Sequence, residues 1–174
     1  MNGATMAGME KTKERKAPDY SGALPYTPPA GGIPAVIVDI DGTVAHKTGR
    51  GIHDYDRVLE DAPDPRAVRL VNLLSLIEDG QAEIVFVSGR PDRCEAGTRA
   101  WLDLHFPELA ATGYQLYMRK DGDYRPDYIV KRELFDAHIR GLYDVIAAID
   151  DRLQVVNLWR HMGILCLDVA GGDF

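Results

Sequence analysis

Asp39 and Asp41 stand two residues apart at the end of an apolar, β-branched run, Ala35-Val36-Ile37-Val38-Asp39-Ile40-Asp41-Gly42-Thr43. Alternate side chains share a face of a strand, so both carboxylates would lie on one side at its carboxyl end. In open α/β sheets ligands bind beyond that end. Adjacent carboxylates repel unless a positive charge lies between them, and a hard divalent cation with oxygen ligands meets that need. One carboxylate can then attack while the other moves a proton. Asp-Gly is also ordinary turn chemistry, so this motif by itself leaves a plain strand-to-turn reading open.

Three further motifs follow. Ile84-Val85-Phe86-Val87 runs into Ser88-Gly89-Arg90, where a hydroxyl, a permissive glycine and adjacent amides can cradle a phosphate. Lys131 closes Asp127-Tyr128-Ile129-Val130-Lys131, and Val145-Ile146-Ala147-Ala148-Ile149 ends in the second acidic pair, Asp150-Asp151, followed by Arg152. Taken singly these also read as a turn, a solvated helix residue and a helix cap.

The elements that would position them alternate. Apolar runs predict strands near 35–39, 83–87, 115–118, 145–149 and 164–168, and helical spacing predicts helices near 64–79, 91–105, 127–140 and 152–162. Asp64-Pro65 and Arg90-Pro91-Asp92 are helix starts with an early proline. Strands separated by helices imply right-handed βαβ units, hence an α/β fold with a mostly parallel sheet. Residues 1–32 carry Lys11, Lys13, Arg15 and Lys16 among prolines and glycines without apolar periodicity, and read as a flexible arm. Tyr20, Leu24 and Tyr26 could let part of it pack on the body. Residues 33–174 form the single domain.

Composition narrows the class. The chain has 174 residues, 45% hydrophobic and 27% charged, with a net charge of −7. That charge argues against sequestering long duplex but not against reading one nucleic-acid end. No apolar run reaches the roughly 20 residues that span a bilayer, and residues 1–16 have no signal-peptide core. Cys94 and Cys166 form no metal-type cluster, so a reducing cytoplasmic setting without membrane partners is expected.

The order Asp39-x-Asp41-Gly42-Thr43, Ser88, Lys131, Asp150-Asp151 resembles the four motifs of the haloacid dehalogenase-like phosphohydrolases. Gly49-Arg50-Gly51, Val87-Ser88-Gly89-Arg90, Met118-Arg119, Arg125-x-Asp127 and Asp150-Asp151-Arg152-x-Gln154 narrow the likeness to the phosphatase half of bacteriophage polynucleotide kinase-phosphatases. The closing Val169-Ala170-Gly171-Gly172-Asp173-Phe174 is similar to the end of that half. The resemblance implies a Rossmann-like three-layer sandwich and a magnesium-dependent 3′-phosphatase. Asp39 is then the nucleophile, forming an aspartyl-phosphate. Asp41 is the general acid and base. Ser88 and Lys131 hold phosphoryl oxygens, and Mg²⁺ is held by Asp39, Asp41 (through its backbone carbonyl), Asp150 and Asp151. Arg50, Arg90, Arg119 and Arg125 match substrate-binding positions, Asp127 an active-site position, and Thr43 and Gly89 flank the phosphate. No Gly-x-x-x-x-Gly-Lys-Ser/Thr loop occurs, so 5′-kinase activity is not expected of this chain.

Spacing bears on substrate size. Asp41 and Ser88 are separated by 46 residues and Ser88 and Lys131 by 42, most of them used by helices and strands. Residues 43–62 leave room for a small flap and no large cap, which favours the end of a polymer over an enclosed metabolite. The expected substrates are nucleic-acid 3′ ends or 3′-nucleotides, with a separate kinase or ligase as a possible partner. The alternatives are a phosphatase of small nucleotides or other phosphomonoesters, and a non-catalytic adaptor using the basic arm. Trp101 and Trp159 read as core, and His46 and His53 as solvated flap residues.

Overall fold

The apolar run Ile33–Val38 forms β1 at the centre of a sheet, and each of its neighbours runs parallel to it. The structure, a computed structural model, describes residues 17–51, 53–77 and 82–169. Along the chain the elements are β1, the two-residue strands β2 (Ala45–His46) and β3 (Ala62–Pro63), α1 (Pro65–Leu74), β4 (Glu83–Pro91) and α2 (Glu95–His105). Then come α3 (Pro107–Thr112), β5 (Gln115–Arg119), α4 (Asp127–His138), β6 (Tyr143–Asp150), α5 (Leu153–His161) and β7 (Cys166–Asp168). The main sheet has the order β5-β4-β1-β6-β7.

Alternation along β1 builds the layers. Val36 and Val38 point into one core with Val71 of α1, Trp101 and Leu102 of α2 and Leu109 of α3. Ala35 and Ile37 point into a second core with Phe135 of α4 and Val155 and Trp159 of α5. Helices therefore cover both faces, which is why the central strands are apolar throughout instead of alternating with polar residues. Both tryptophans are buried, as their spacing suggested. Among the described residues no helix is long and apolar enough to cross a membrane.

All five sheet strands lie where the apolar runs put them, with differences at the boundaries. β4 continues through Ser88-Gly89-Arg90 to Pro91, its register against β5 shifting between Ser88 and Pro91. A 3₁₀ turn at Asp92–Cys94 then delays α2 to Glu95, four residues after the proline that marked its expected start. Asp64 caps α1 as expected, accepting from the amides of Arg66 at 2.8 Å and Ala67 at 3.1 Å. The helix ends at Leu74, with Ser75 as its C-cap, short of its expected end at 79; residues 78–81 lie outside the described residues. Between β1 and α1 the antiparallel pair β2-β3 brackets a 3₁₀ segment, Tyr55–Glu60, as a small flap.

Residues 17–32 do not hang free as the arm reading had them. Tyr20 Oη donates to the Gln154 carbonyl at 2.7 Å, Tyr26 Oη to that of Tyr143 at 2.5 Å, and Arg140 donates to the carbonyls of Leu24 and Pro25. A few aromatic rings and backbone carbonyls make these contacts, so no apolar period announces them. Residues 1–16 lie outside the described residues.

Candidate active site

The carboxyl ends of β1 and β6 bring three carboxylates together. Asp39 follows β1, Asp150 ends β6, and Asp151 follows it. Among the described residues these three form the group able to share a metal, each offering an oxygen within 4.8 Å of the others. Lys131, on the second turn of α4, places Nζ at 2.7 Å from Asp39 Oδ1 and 2.7 Å from Asp150 Oδ2. All four residues are buried. Burial pushes the lysine pKa down, but the Asp150, Asp39 and Asp127 carboxylates outweigh it and hold the group cationic well above its ordinary range. Burial, only partly offset by Lys131, lifts Asp150 to about 6. Burial and the charges of Asp39 and Asp150 lift Asp151 to about 8.

One ammonium cannot neutralise three carboxylates, and a second feature of the site fits a cation. Asp151 Oδ1 is buried with no hydrogen-bond partner, and such an atom is costly unless something binds it. Oxygen donors in this number suit a hard divalent ion such as Mg²⁺. Gly42 makes room for the arrangement. Its φ is +89°, and a Cβ there would lie 2.0 Å from Asp151 Oδ2. Thr43 approaches from the same turn, its Oγ1 at 3.5 Å from Asp39 Oδ2.

Asp41 faces elsewhere. Arg90 grips its carboxylate with Nε at 3.1 Å and Nη2 at 2.8 Å, and Arg50 Nη2 reaches it at 3.4 Å. Burial would raise the Asp41 pKa, but Arg90, Lys47 and Arg50 hold it below the ordinary carboxylate value. Behind this cluster sits Asp61, which precedes β3 in the flap. It accepts from Arg50 Nε and Nη2, both at 2.6 Å, and from Arg90 Nη2 at 2.7 Å. The side chains of Arg50 and Arg90 are 0% exposed. The two arginines expected to grip phosphate are thus turned toward Asp41 and Asp61. Asp61 escaped sequence reading because it is a single acid in a segment without motif or period.

The open cleft, about 550 Å³, is lined by Asp39, Asp41, Lys47, Tyr55, Arg93, Arg119, Tyr124, Arg125, Asp127 and Arg152 among others. Asp127 opens α4 and is clamped from two sides by Arg119 and Arg152. Gly89 allows this, since a Cβ there would stand 2.9 Å from Asp127 Oδ1. Arg119 Nε also donates to the Gly89 carbonyl at 2.8 Å. Ser88 is buried, and its Oγ accepts from the Arg90 amide at 3.2 Å. Arg125 sits at the rim, paired with Asp123 and Glu133. Arg152 and Arg93 were not singled out from the sequence, although Arg152 directly follows the second acidic pair.

A parallel sheet with paired acids at the carboxyl ends of two adjacent inner strands, a lysine between them and a small flap in place of a cap defines a haloacid dehalogenase-type phosphohydrolase domain. Residues 33–174 match the family described as "Polynucleotide kinase PNKP phosphatase domain", and the chain belongs to it. A "Putative bifunctional polynucleotide kinase/RNA ligase" of Autographa californica nuclear polyhedrosis virus is 41% identical over 141 residues, 80% of this chain and 20% of that protein. Two solved structures share the fold at a TM-score of 0.74. One, "Structure of the Pnkp1/Rnl/Hen1 RNA repair complex", is 29% identical, covering 88% of this chain and 48% of that one. The other, "Structure of Pnkp1/Rnl/Hen1 complex", is 27% identical and covers 98% and 59%. The chain therefore spans a fifth of the viral relative and about half of the solved chains.

Proposed function

We propose that this phosphatase domain removes 3′-phosphates from nucleic-acid ends or 3′-nucleotides with the help of Mg²⁺. The observation that carries the reading is the buried Asp39-Asp150-Asp151 group. It shares one ammonium, leaves Asp151 Oδ1 unpartnered, and adjoins an open, arginine-lined cleft that no cap closes. The family match and the viral relative's name support a nucleic-acid substrate over a small metabolite.

Asp39, Asp150 and Asp151 would hold the metal, whose charge offsets theirs and draws the phosphate in. Asp39, ion-paired with Lys131, attacks phosphorus in line, and the sugar oxygen leaves as an aspartyl-phosphate forms on its carboxylate. Lys131 Nζ, held between two carboxylates, is placed to follow charge onto the transferring oxygens, and Ser88 would hold the same oxygens. Asp41 as Arg90 holds it is a carboxylate, the form able to take a proton from the water that hydrolyses the intermediate. To protonate the leaving oxygen it must first gain that proton and turn from Arg90.

A ligase activity, elsewhere in the same polypeptide or on another chain, would use the 3′-hydroxyl ends this reaction makes, and a kinase would supply the 5′-phosphates to which they are joined. The free, buried Cys94 and Cys166 suit a reducing cytoplasm.

The test is phosphate release from 3′-phosphorylated oligonucleotide, 5′-phosphorylated oligonucleotide and 3′-mononucleotide, with Mg²⁺ or chelator. Release from both 3′ substrates, lost in chelator and reduced by orders of magnitude in Asp39→Asn, is expected. Full activity in chelator, or preference for the 5′ end, would overturn the reading.

A further inference from the structure

We infer that Tyr124 is a stacking platform for the base of the nucleotide whose phosphate enters the cleft, an inference that rests on the reading of this domain as a phosphatase of nucleic-acid ends. Tyr124 lines the same cleft as Asp39. Its side chain is 93% exposed, more than any other large hydrophobic residue described. Among the described residues its hydroxyl has no hydrogen-bond partner and its ring no aromatic neighbour.

A lone exposed aromatic is ordinary on a surface. What separates Tyr124 from that case is its mounting. Arg119 Nη1, anchored at the end of β5, donates to the carbonyls on either side of it, Asp123 at 2.9 Å and Arg125 at 2.7 Å. The Asp123 carboxylate accepts the Arg125 amide at 2.9 Å, and Asp92 accepts the Asp121 amide at 3.0 Å. The turn that carries the ring is fastened before and after it, while the ring itself is left in water. A backbone so held loses little freedom when a ligand settles on the ring it carries, which is where flexible loops lose affinity.

The chemistry around the ring selects the class of ligand. Lys47, Arg93 and Arg119 line the cleft together with Asp39, and Tyr124 lines it too. A ligand that uses both has an anionic phosphate joined through a short spacer to a flat ring, which describes a nucleotide. Stacking tolerates any base because each has a π-face, so all four bases should be accepted with similar affinity.

The experiment compares wild type, Tyr124→Ala and Tyr124→Phe on 3′-phosphorylated oligonucleotides ending in each base and on one ending in an abasic 3′-phosphate. Loss of one base stack corresponds to a rise in KM of about fivefold to a hundredfold. That rise is expected for Tyr124→Ala on all four bases, with kcat and melting temperature little changed. Tyr124→Phe should keep the wild-type KM, and on the abasic end all three proteins should be equal. Wild-type activity with unchanged KM in Tyr124→Ala, or an equal loss on the abasic end, overturns the stacking role alone. A wild type inactive on every 3′-phosphate overturns both this inference and the function on which it rests.

Discussion

Gly42→Ala tests whether the position of Asp151 limits the reaction. The substitution carries two separable effects. The first is backbone strain, because φ at Gly42 is +89° and an alanine there costs about 1–2 kcal/mol. The second is steric. The new Cβ would lie 2.0 Å from Asp151 Oδ2, whereas ordinary contact begins near 3.4 Å, so the carboxylate must retreat by about 1.4 Å. Gly163→Ala supplies the control. Its φ is +87°, nothing lies within 4 Å of its Cβ, and it sits between α5 and β7 at the amino end of the strands, opposite the end that carries the acids. Both variants should melt about 2–8 °C lower, at roughly 2–4 °C per kcal/mol. A misplacement near 1 Å can cost about a hundredfold in rate. Phosphate release should therefore fall about that far in Gly42→Ala and stay near wild type in Gly163→Ala. The rise in melting temperature on adding Mg²⁺ should also be lost only in Gly42→Ala. Turnover in Gly42→Ala within threefold of the control would refute the argument that Asp151 must stand against a bare backbone.

Asp61→Asn removes the carboxylate shared by two buried guanidinium groups, leaving both cations to Asp41. Breaking such a pair costs about 3–5 kcal/mol, so a melt should show a large fall, and a drop no larger than that of Asp123→Asn at the exposed rim would contradict the buried network. For pH, Asp150 and Asp151 titrate near 6 and 8 in the folded chain against an ordinary 3.8, so the folded state binds more protons. Their contribution to stability is complete below about 4 and is lost as pH rises through 6 and then 8. Metal-free protein should melt lower at pH 8.5 than at pH 5, Mg²⁺ should restore more at the higher pH, and Asp151→Asn should flatten the dependence. A metal-free melt that rises toward pH 8.5 would show that these acids are not held as described.

Most of the sheet was legible because its strands are long apolar runs that stop abruptly at polar residues, as β1 does at Asp39 and β6 at Asp150. What escaped notice were elements too short to carry a period. The strands β2 and β3, two residues each, were legible only as a small flap between motifs, and α3, with six residues, gave no signal. The late start of α2 has a local cause: Ser88-Gly89-Arg90 stays extended with a register shift, so Pro91 ends a strand instead of opening a helix. The acids and Lys131 could be found because motif spacing survives folding. The orientation of Asp41 could not, since it depends on Arg90 and Arg50 reaching it from β4 and the flap.

The arginines show the same limit from the side of function. In the sequence Arg50, Arg90, Arg119 and Arg125 all stand beside motif residues and look alike. In the fold the first two are spent on Asp41 and Asp61, and the cleft is left to Arg93, Arg119, Arg125 and Arg152. Even these are partnered, Arg119 and Arg152 by Asp127, Arg93 by Asp121, and Arg125 by Asp123 and Glu133. Positive charge is therefore concentrated beside one phosphate position and balanced by acids around it. A long backbone would meet those carboxylates as well as the arginines, and the chain's net charge of −7 would repel it further. On the proposed reading a single phosphorylated terminus would meet Lys131, the buried acids and the clamped arginines without crossing the acidic surroundings. That distribution is compatible with the proposed action of an acidic domain on nucleic-acid ends, which would need affinity for one phosphate and its base and would gain nothing from a track.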